Sequence, residues 1–120
     1  MISVLLFILD GGGKWYDKGV FVGKRAMLSV TIGGPETMYS ETGLNGDINT
    51  ILYPIDRGIL RFVGFDVVPP FIVWSPARIS QERRKQYLEE YKQRLLKLPL
   101  FEPIPYPNLD RFDENFQLKQ

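Results

Sequence analysis

The residues best suited to chemistry fall between Thr31 and Asp47. Thr31-Ile32-Gly33-Gly34 closes an apolar run with two glycines, a polar loop then carries Met38-Tyr39-Ser40, and Gly43-Leu44-Asn45-Gly46-Asp47 follows. A glycine pair lets the backbone approach a flat ligand closely, because no Cβ stands in the way. Backbone N–H groups at such an exit can donate to the oxygens and nitrogens of a ring. Read as residues alone, Gly33-Gly34 is first a tight strand exit and Tyr39 a surface tyrosine in a loop. The 120-residue chain contains no histidine and no cysteine. Thiolate nucleophiles, disulfides and thiolate metal sites are therefore excluded. So is the usual general acid/base of neutral pH, which is also the commonest metal ligand. Chemistry here falls to Tyr, Lys, Asp or Glu, or to a cofactor.

The formal net charge of +1 provides no field for steering nucleic acid or for holding an anionic membrane surface. Aromatic residues make up 13% of the chain, with six Tyr and eight Phe, which suits a flat-ligand pocket, an aromatic interface or a bulky core. Met1 to Leu9 is nearly all apolar. As a helix that run is too short to span a bilayer. It lacks the basic n-region and small-residue cleavage site of a signal peptide. It reads as a buried strand or helix, with the cytoplasm as the default location.

The elements that must position these residues alternate along the chain. Residues 1–25 form an N-terminal loop region, in which Asp10-Gly11-Gly12-Gly13 is a flexible loop and Lys14-Trp15-Tyr16-Asp17-Lys18-Gly19 either pins that loop to the body or rims a pocket or subunit contact. Residues 26–97 hold two strand–helix units. Ala26 to Thr31 is a near-continuous apolar run, as in a parallel strand covered on both faces. From Ile48 to Phe62, apolar residues recur at spacings of three and four, which predicts a helix with one apolar face. Asn45 or Asp47 would cap it, Pro54 would kink or restart it, and Gly64 would stop it. Val67-Val68 and Phe71-Ile72-Val73 form a second strand, which Pro69-Pro70 place at a sheet edge or split in two. Ser80 caps a second helix running to about Lys97, with Tyr87, Leu88, Tyr91, Leu95 and Leu96 as its buried stripe. The Glu82-Arg83-Arg84-Lys85 cluster reads as a solvated helix face. Residues 98–120 are a Pro-rich tail anchored by Phe112 and Phe116. The order strand, helix, strand, helix makes a parallel α/β unit. Two strands are few for an open sheet, so the chain reads as one partial domain, the back end of a larger doubly wound fold.

The Thr31–Ser40 and Gly43–Asp47 segments resemble the NAD(P)H:quinone oxidoreductase family, which includes the DT-diaphorases and the ancillary subunits of bacterial potassium-efflux systems. The resemblance continues through Leu52-Tyr53-Pro54-Ile55, Gly58-Ile59-Leu60, Phe62-Val63-Gly64-Phe65 and Phe112-Asp113-Glu114-Asn115-Phe116-Gln117. It covers nearly everything from Gly11 onward. It implies a flavodoxin-like parallel sheet with flanking helices, of which this chain carries the last two strand–helix units. It further implies a homodimeric flavoprotein that binds FAD (FMN in some bacterial members), takes hydride from NAD(P)H and passes it to a quinone at one alternately occupied site. By the same resemblance Thr31, Ile32, Gly33, Gly34 and Met38 lie along the flavin ring. Tyr39 is the active-site tyrosine that stabilises charge on the flavin or acceptor. Phe62 is the aromatic that one subunit lends to the other's pocket, Arg84 lies near the adenine end of FAD, and Phe116 lines the substrate pocket.

Two departures qualify these expectations. Asn45 stands where animal members carry an active-site histidine. An amide hydrogen-bonds but does not titrate near neutrality, so the reaction should be slower here or lean on Tyr39 and solvent. The family's first half, with its central strands, FAD-phosphate cradle and the aromatic segment under the ring, is not matched, which implies weak flavin affinity for this chain alone. Beside the enzyme reading stand two others. One is an ancillary subunit docked on a potassium-efflux transporter. The other is a non-functional relic whose exposed strand edge promotes aggregation. Nucleic-acid binding and membrane insertion have no support in charge or motif.

Overall fold

The computed structural model describes residues 13–120. The Met1–Leu9 run and Asp10-Gly11-Gly12 of the expected loop lie outside the described residues. Two strands, β1 (Arg25–Ile32) and β2 (Asp66–Trp74), pair in parallel. Their connection runs through α1 (Ile48–Ile55) and a wider, π-helical turn over Asp56–Arg61. A parallel pair requires such a crossover, and the apolar period between Ile48 and Val63 provides it. The second helix, α2 (Gln81–Leu96), follows β2, and the tail then returns across the sheet.

The two prolines of β2 do not split it. Val68 pairs with Met27 and Phe71 with Ser29, so β2 takes three steps where β1 takes two. The extra residue is a bulge at Pro69-Pro70, where neither nitrogen can donate to the ladder. The outer edge of β2 is covered by other means. The Ile104 amide donates to the Val67 carbonyl at 2.7 Å, and Arg94 Nη2 donates to the Pro69 carbonyl at 2.7 Å. Arg25 Nη1 reaches the Phe101 carbonyl and ties the tail to the start of β1.

Asp47, not Asn45, caps α1, its carboxylate accepting the Asn49 amide at 3.0 Å. Pro54 lies inside α1 and removes one helical donor. The helix then widens instead of breaking, and the wider turn advances the phase of its faces. This corrects the expected apolar stripe. Of that stripe Leu52 and Val63 are buried, but Ile51, Ile55 and Ile59 remain partly exposed, and Asp56 and Arg61 are buried in their place. The core is small, with Leu52, Val63, Val67 and Val68 its buried apolar members.

Two further expectations are corrected. β1 is not covered on both faces: Ser29 and Thr31 are exposed, and its remaining residues are half-buried. Within the described residues it has β2 as its one strand neighbour, so little packs over it. In α2, Ser80 does cap the helix, accepting the Arg83 amide at 3.1 Å. The buried stripe is narrower than the sequence suggests. Tyr87 and Tyr91 lie against Phe71, at centroid distances of 6.4 and 5.2 Å, but Leu88, Leu95 and Leu96 face outward. Arginines complete the inner row, Arg83 lying 3.9 Å over the Tyr87 ring and Arg94 3.7 Å over Phe101. Their long stems cover apolar surface that the leucines would otherwise have covered.

Candidate functional site

The carboxyl ends of both strands meet at Ile32 and Trp74, which pair across the sheet. The Ser75 amide donates to the Ile32 carbonyl at 2.7 Å and fixes the two exits side by side. Gly33 and Gly34 leave β1 at this point. Their amides donate to no group among the described residues. Open space surrounds the place where a Cβ on Gly33 would stand, whereas one on Gly34 would press on Met38 Sδ and Tyr39 Cε2 at 3.2 Å. One glycine thus leaves a bare face, and the other lets the following turn fold back tightly.

That turn is a 3-10 segment over Glu36–Tyr39. It returns Tyr39 onto Trp74 of β2, with ring centroids 5.5 Å apart. The Asn45 amide closes on the Met38 carbonyl at 2.8 Å. Gly43 makes this closure possible, because a Cβ there would come within 2.5 Å of the Thr37 carbonyl oxygen. Thr31, Ile32, Gly33, Gly34, Met38, Tyr39 and Asn45 are therefore neighbours by construction. The Tyr39 hydroxyl makes no hydrogen bond within the described residues, and the Asn45 side chain is exposed. Arg84 lies on α2, its Nη1 donating to the Pro76 carbonyl at 3.2 Å in the loop that leaves β2.

Phe62 and Phe116 lie elsewhere. Phe62 precedes β2 and so sits at the amino end of the sheet, one strand length, about 25 Å, from Gly33. There it faces Trp15 and Tyr16, at centroid distances of 6.2 and 5.3 Å, and its carbonyl accepts the Tyr16 amide at 2.8 Å. With Phe112, Phe116 and Arg57 these residues line a cleft of about 590 Å³. Phe116 is no anchor for the tail. It has a positive φ of 60°, is 72% exposed and presents its ring to the cleft.

An ion pair holds this second cleft together. Arg61 Nη2 bonds Asp17 Oδ1 at 2.6 Å, and Asp17 Oδ2 accepts the Leu109 amide at 2.6 Å. Asp66 stands 3.7 Å from Arg61 on its other side. One carboxylate thereby joins the aromatic loop, the π-helical turn and the tail. Asp56 is buried beside this group, and burial pushes its carboxyl above the usual range. Tyr106 is also pushed up, first by burial and then by the nearby Asp56 carboxylate. Sequence reasoning did not find Asp17, Asp56, Arg57, Arg61, Trp74 or Tyr106. The Asp17–Arg61 pair spans 44 positions, beyond the reach of any local period.

Residues 7–96 match the family described as having a flavodoxin-like fold. The chain belongs to the flavodoxin-like fold family. Among its curated relatives, the rat NAD(P)H dehydrogenase [quinone] 1 is 45% identical over 102 residues, which are 85% of this chain and 37% of that protein. The human ribosyldihydronicotinamide dehydrogenase [quinone] is 45% identical over 91 residues, 76% of this chain and 39% of that protein. A Klebsiella pneumoniae protein assigned as a quinone reductase superposes with a TM-score of 0.82 at 36% identity, covering 88% of this chain and 42% of that one. The chain thus spans about two fifths of the length of the relatives it matches. In flavodoxin-like sheets ligands bind beyond the carboxyl ends of the strands, which is where Gly33, Gly34 and Tyr39 stand. Among the described residues no helix is long and apolar enough to cross a membrane, and no acidic cluster could hold a metal ion.

Proposed function

We propose that this chain forms part of a flavin-dependent NAD(P)H:quinone oxidoreductase. The observation that carries the reading is the bare face of Gly33, with two unengaged amides beside it and Tyr39 folded back over Trp74. That surface fits a flat tricyclic ring: there is room along the backbone and there are donors for ring oxygens and nitrogens. Thr31, Ile32, Gly33, Gly34 and Met38 would hold the ring, and Arg84 would hold the far end of FAD. When bound, the flavin supplies two-electron transfer from NAD(P)H to a quinone. Tyr39 keeps its hydroxyl free to donate a hydrogen bond to developing negative charge on an acceptor oxygen. Asn45 adds an amide that can orient but not exchange a proton. The aromatic cleft around Phe62 and Phe116 provides the acceptor's walls. It lies at the other end of the sheet, so a second copy of the chain in a two-fold dimer would bring it over the Gly33 face. FAD is favoured over FMN through Arg84.

The test is to purify the chain, titrate it with FAD and with FMN, and assay quinone-dependent NAD(P)H oxidation. Flavin absorbance should shift on binding, and Gly33→Val should weaken binding by more than about tenfold, since a branched side chain fills the face. A chain that binds neither flavin at high concentration, or a Gly33→Val variant that binds as well as the parent, would sink the reading.

A further inference from the structure

The Phe62–Phe116 cleft carries two cations, Arg57 and Lys18, with no carboxylate partner among the described residues. Its one acidic lining residue, Asp113, directs Oδ1 to the amides of Asn115 and Gln117 at 2.8 and 2.9 Å. Arg57 lies 4.6 Å from the Tyr16 ring centroid and 5.1 Å from that of Tyr106. Its Nη1 is buried and has no hydrogen-bond acceptor. The guanidinium is therefore held by π faces, not by an anion. Held in this way it stays charged at any working pH. Asp113 on the cleft wall and Asp56, which shares Tyr106 as a neighbour, offset part of its charge without pairing with it. The walls around it are aromatic and suit a planar ring.

From this arrangement we infer that the cleft selects planar acceptors carrying a negative charge, with Arg57 as the specificity-determining residue and Lys18 supporting it at the exposed rim. The inference rests on the reading of this cleft as the acceptor's side. Its test needs neither flavin nor turnover, so a failed redox assay leaves it standing. The full chain is titrated with 9,10-anthraquinone-2-sulfonate and with uncharged 2-hydroxymethylanthraquinone, following Trp15 fluorescence in a Trp74→Phe background. The sulfonate should bind about tenfold tighter, as one charge-assisted contact allows. The gap should shrink in high salt, close in Arg57→Gln and persist in Arg57→Lys. Equal affinities in the parent would overturn the inference, as would an Arg57→Gln variant that loses both ligands equally. Should Arg57→Gln not fold, the exposed Lys18→Gln decides: the gap must narrow, and an unchanged gap overturns the inference. Adenosine 2′,5′-bisphosphate has phosphates but no quinone. Efficient displacement of the sulfonate by it would assign the cleft's charge to the nicotinamide donor and overturn acceptor selection.

Discussion

Gly33 and Gly34 look alike in the sequence and do different work in space. A Cβ on Gly34 would crowd the returning Met38 and Tyr39 side chains at 3.2 Å, whereas Gly33 keeps the face beside them open. Tyr39 is the side chain whose role follows from this division. Tyr39→Phe keeps the ring on Trp74 and removes only the hydroxyl. Steady-state quinone reduction should fall about 10- to 100-fold, while flavin titration stays unchanged. Asp56 makes a second prediction at this scale. Its folded carboxyl titrates above the ordinary range because it is buried. The protonated form is thus the one the fold favours. Its contribution is complete below the unfolded value, about pH 3.9, and is lost as pH rises through the folded one. Asp56→Asn is neutral throughout. It should melt above the parent at pH 7, and thermal scans of the two should converge at about pH 4.

At the scale of elements, both strands, the Ser80 cap and the Gly33–Asp47 loop were legible in the sequence, because each rests on local chemistry: an apolar run, a hydroxyl one turn ahead of an amide, or a glycine at a crowded turn. The interior of the crossover was legible only in part. Its three-and-four spacing put Ile51, Leu52, Ile55, Ile59, Leu60 and Phe62-Val63 on one face, and of these Leu52 and Val63 are buried while the three isoleucines are not. The wider turn after Pro54 moved Asp56 and Arg61 inward instead, and nothing in a period announces a change of pitch. The α2 stripe failed for another reason: arginine stems over Tyr87 and Phe101 cover surface that hydropathy reserves for leucine. The Arg61–Asp17 pair likewise depends on contacts distant in sequence. Arg61→Met would leave Asp17 unpaired in a partly buried position. The expected loss is about 2 kcal/mol, below the range for fully buried pairs because Asp17 is 29% exposed. Chemical denaturation should show it, and pairing Arg61→Met with Asp17→Asn should cost less than the two changes summed.

For the whole molecule, the main finding is separation. The Gly33–Tyr39 group and the Phe62–Phe116 cleft stand at opposite ends of one short sheet, so one copy cannot close both around a single ligand. On the proposed function, sedimentation velocity should report a dimer whose population rises with flavin and acceptor together. A strictly monomeric chain with full quinone reductase activity would contradict that expectation.

The bulge at Pro69-Pro70 has its own consequence at this scale. Two adjacent prolines, the Arg94 contact and the Ile104 amide block the outer edge of β2 from Val67 to Pro70 against another strand. β1 has no such cover among the described residues. Growth of this sheet is therefore vectorial. A strand from another segment or another molecule can zip on beside β1 and is turned away at β2, so correct assembly and misassembly compete for the same single berth.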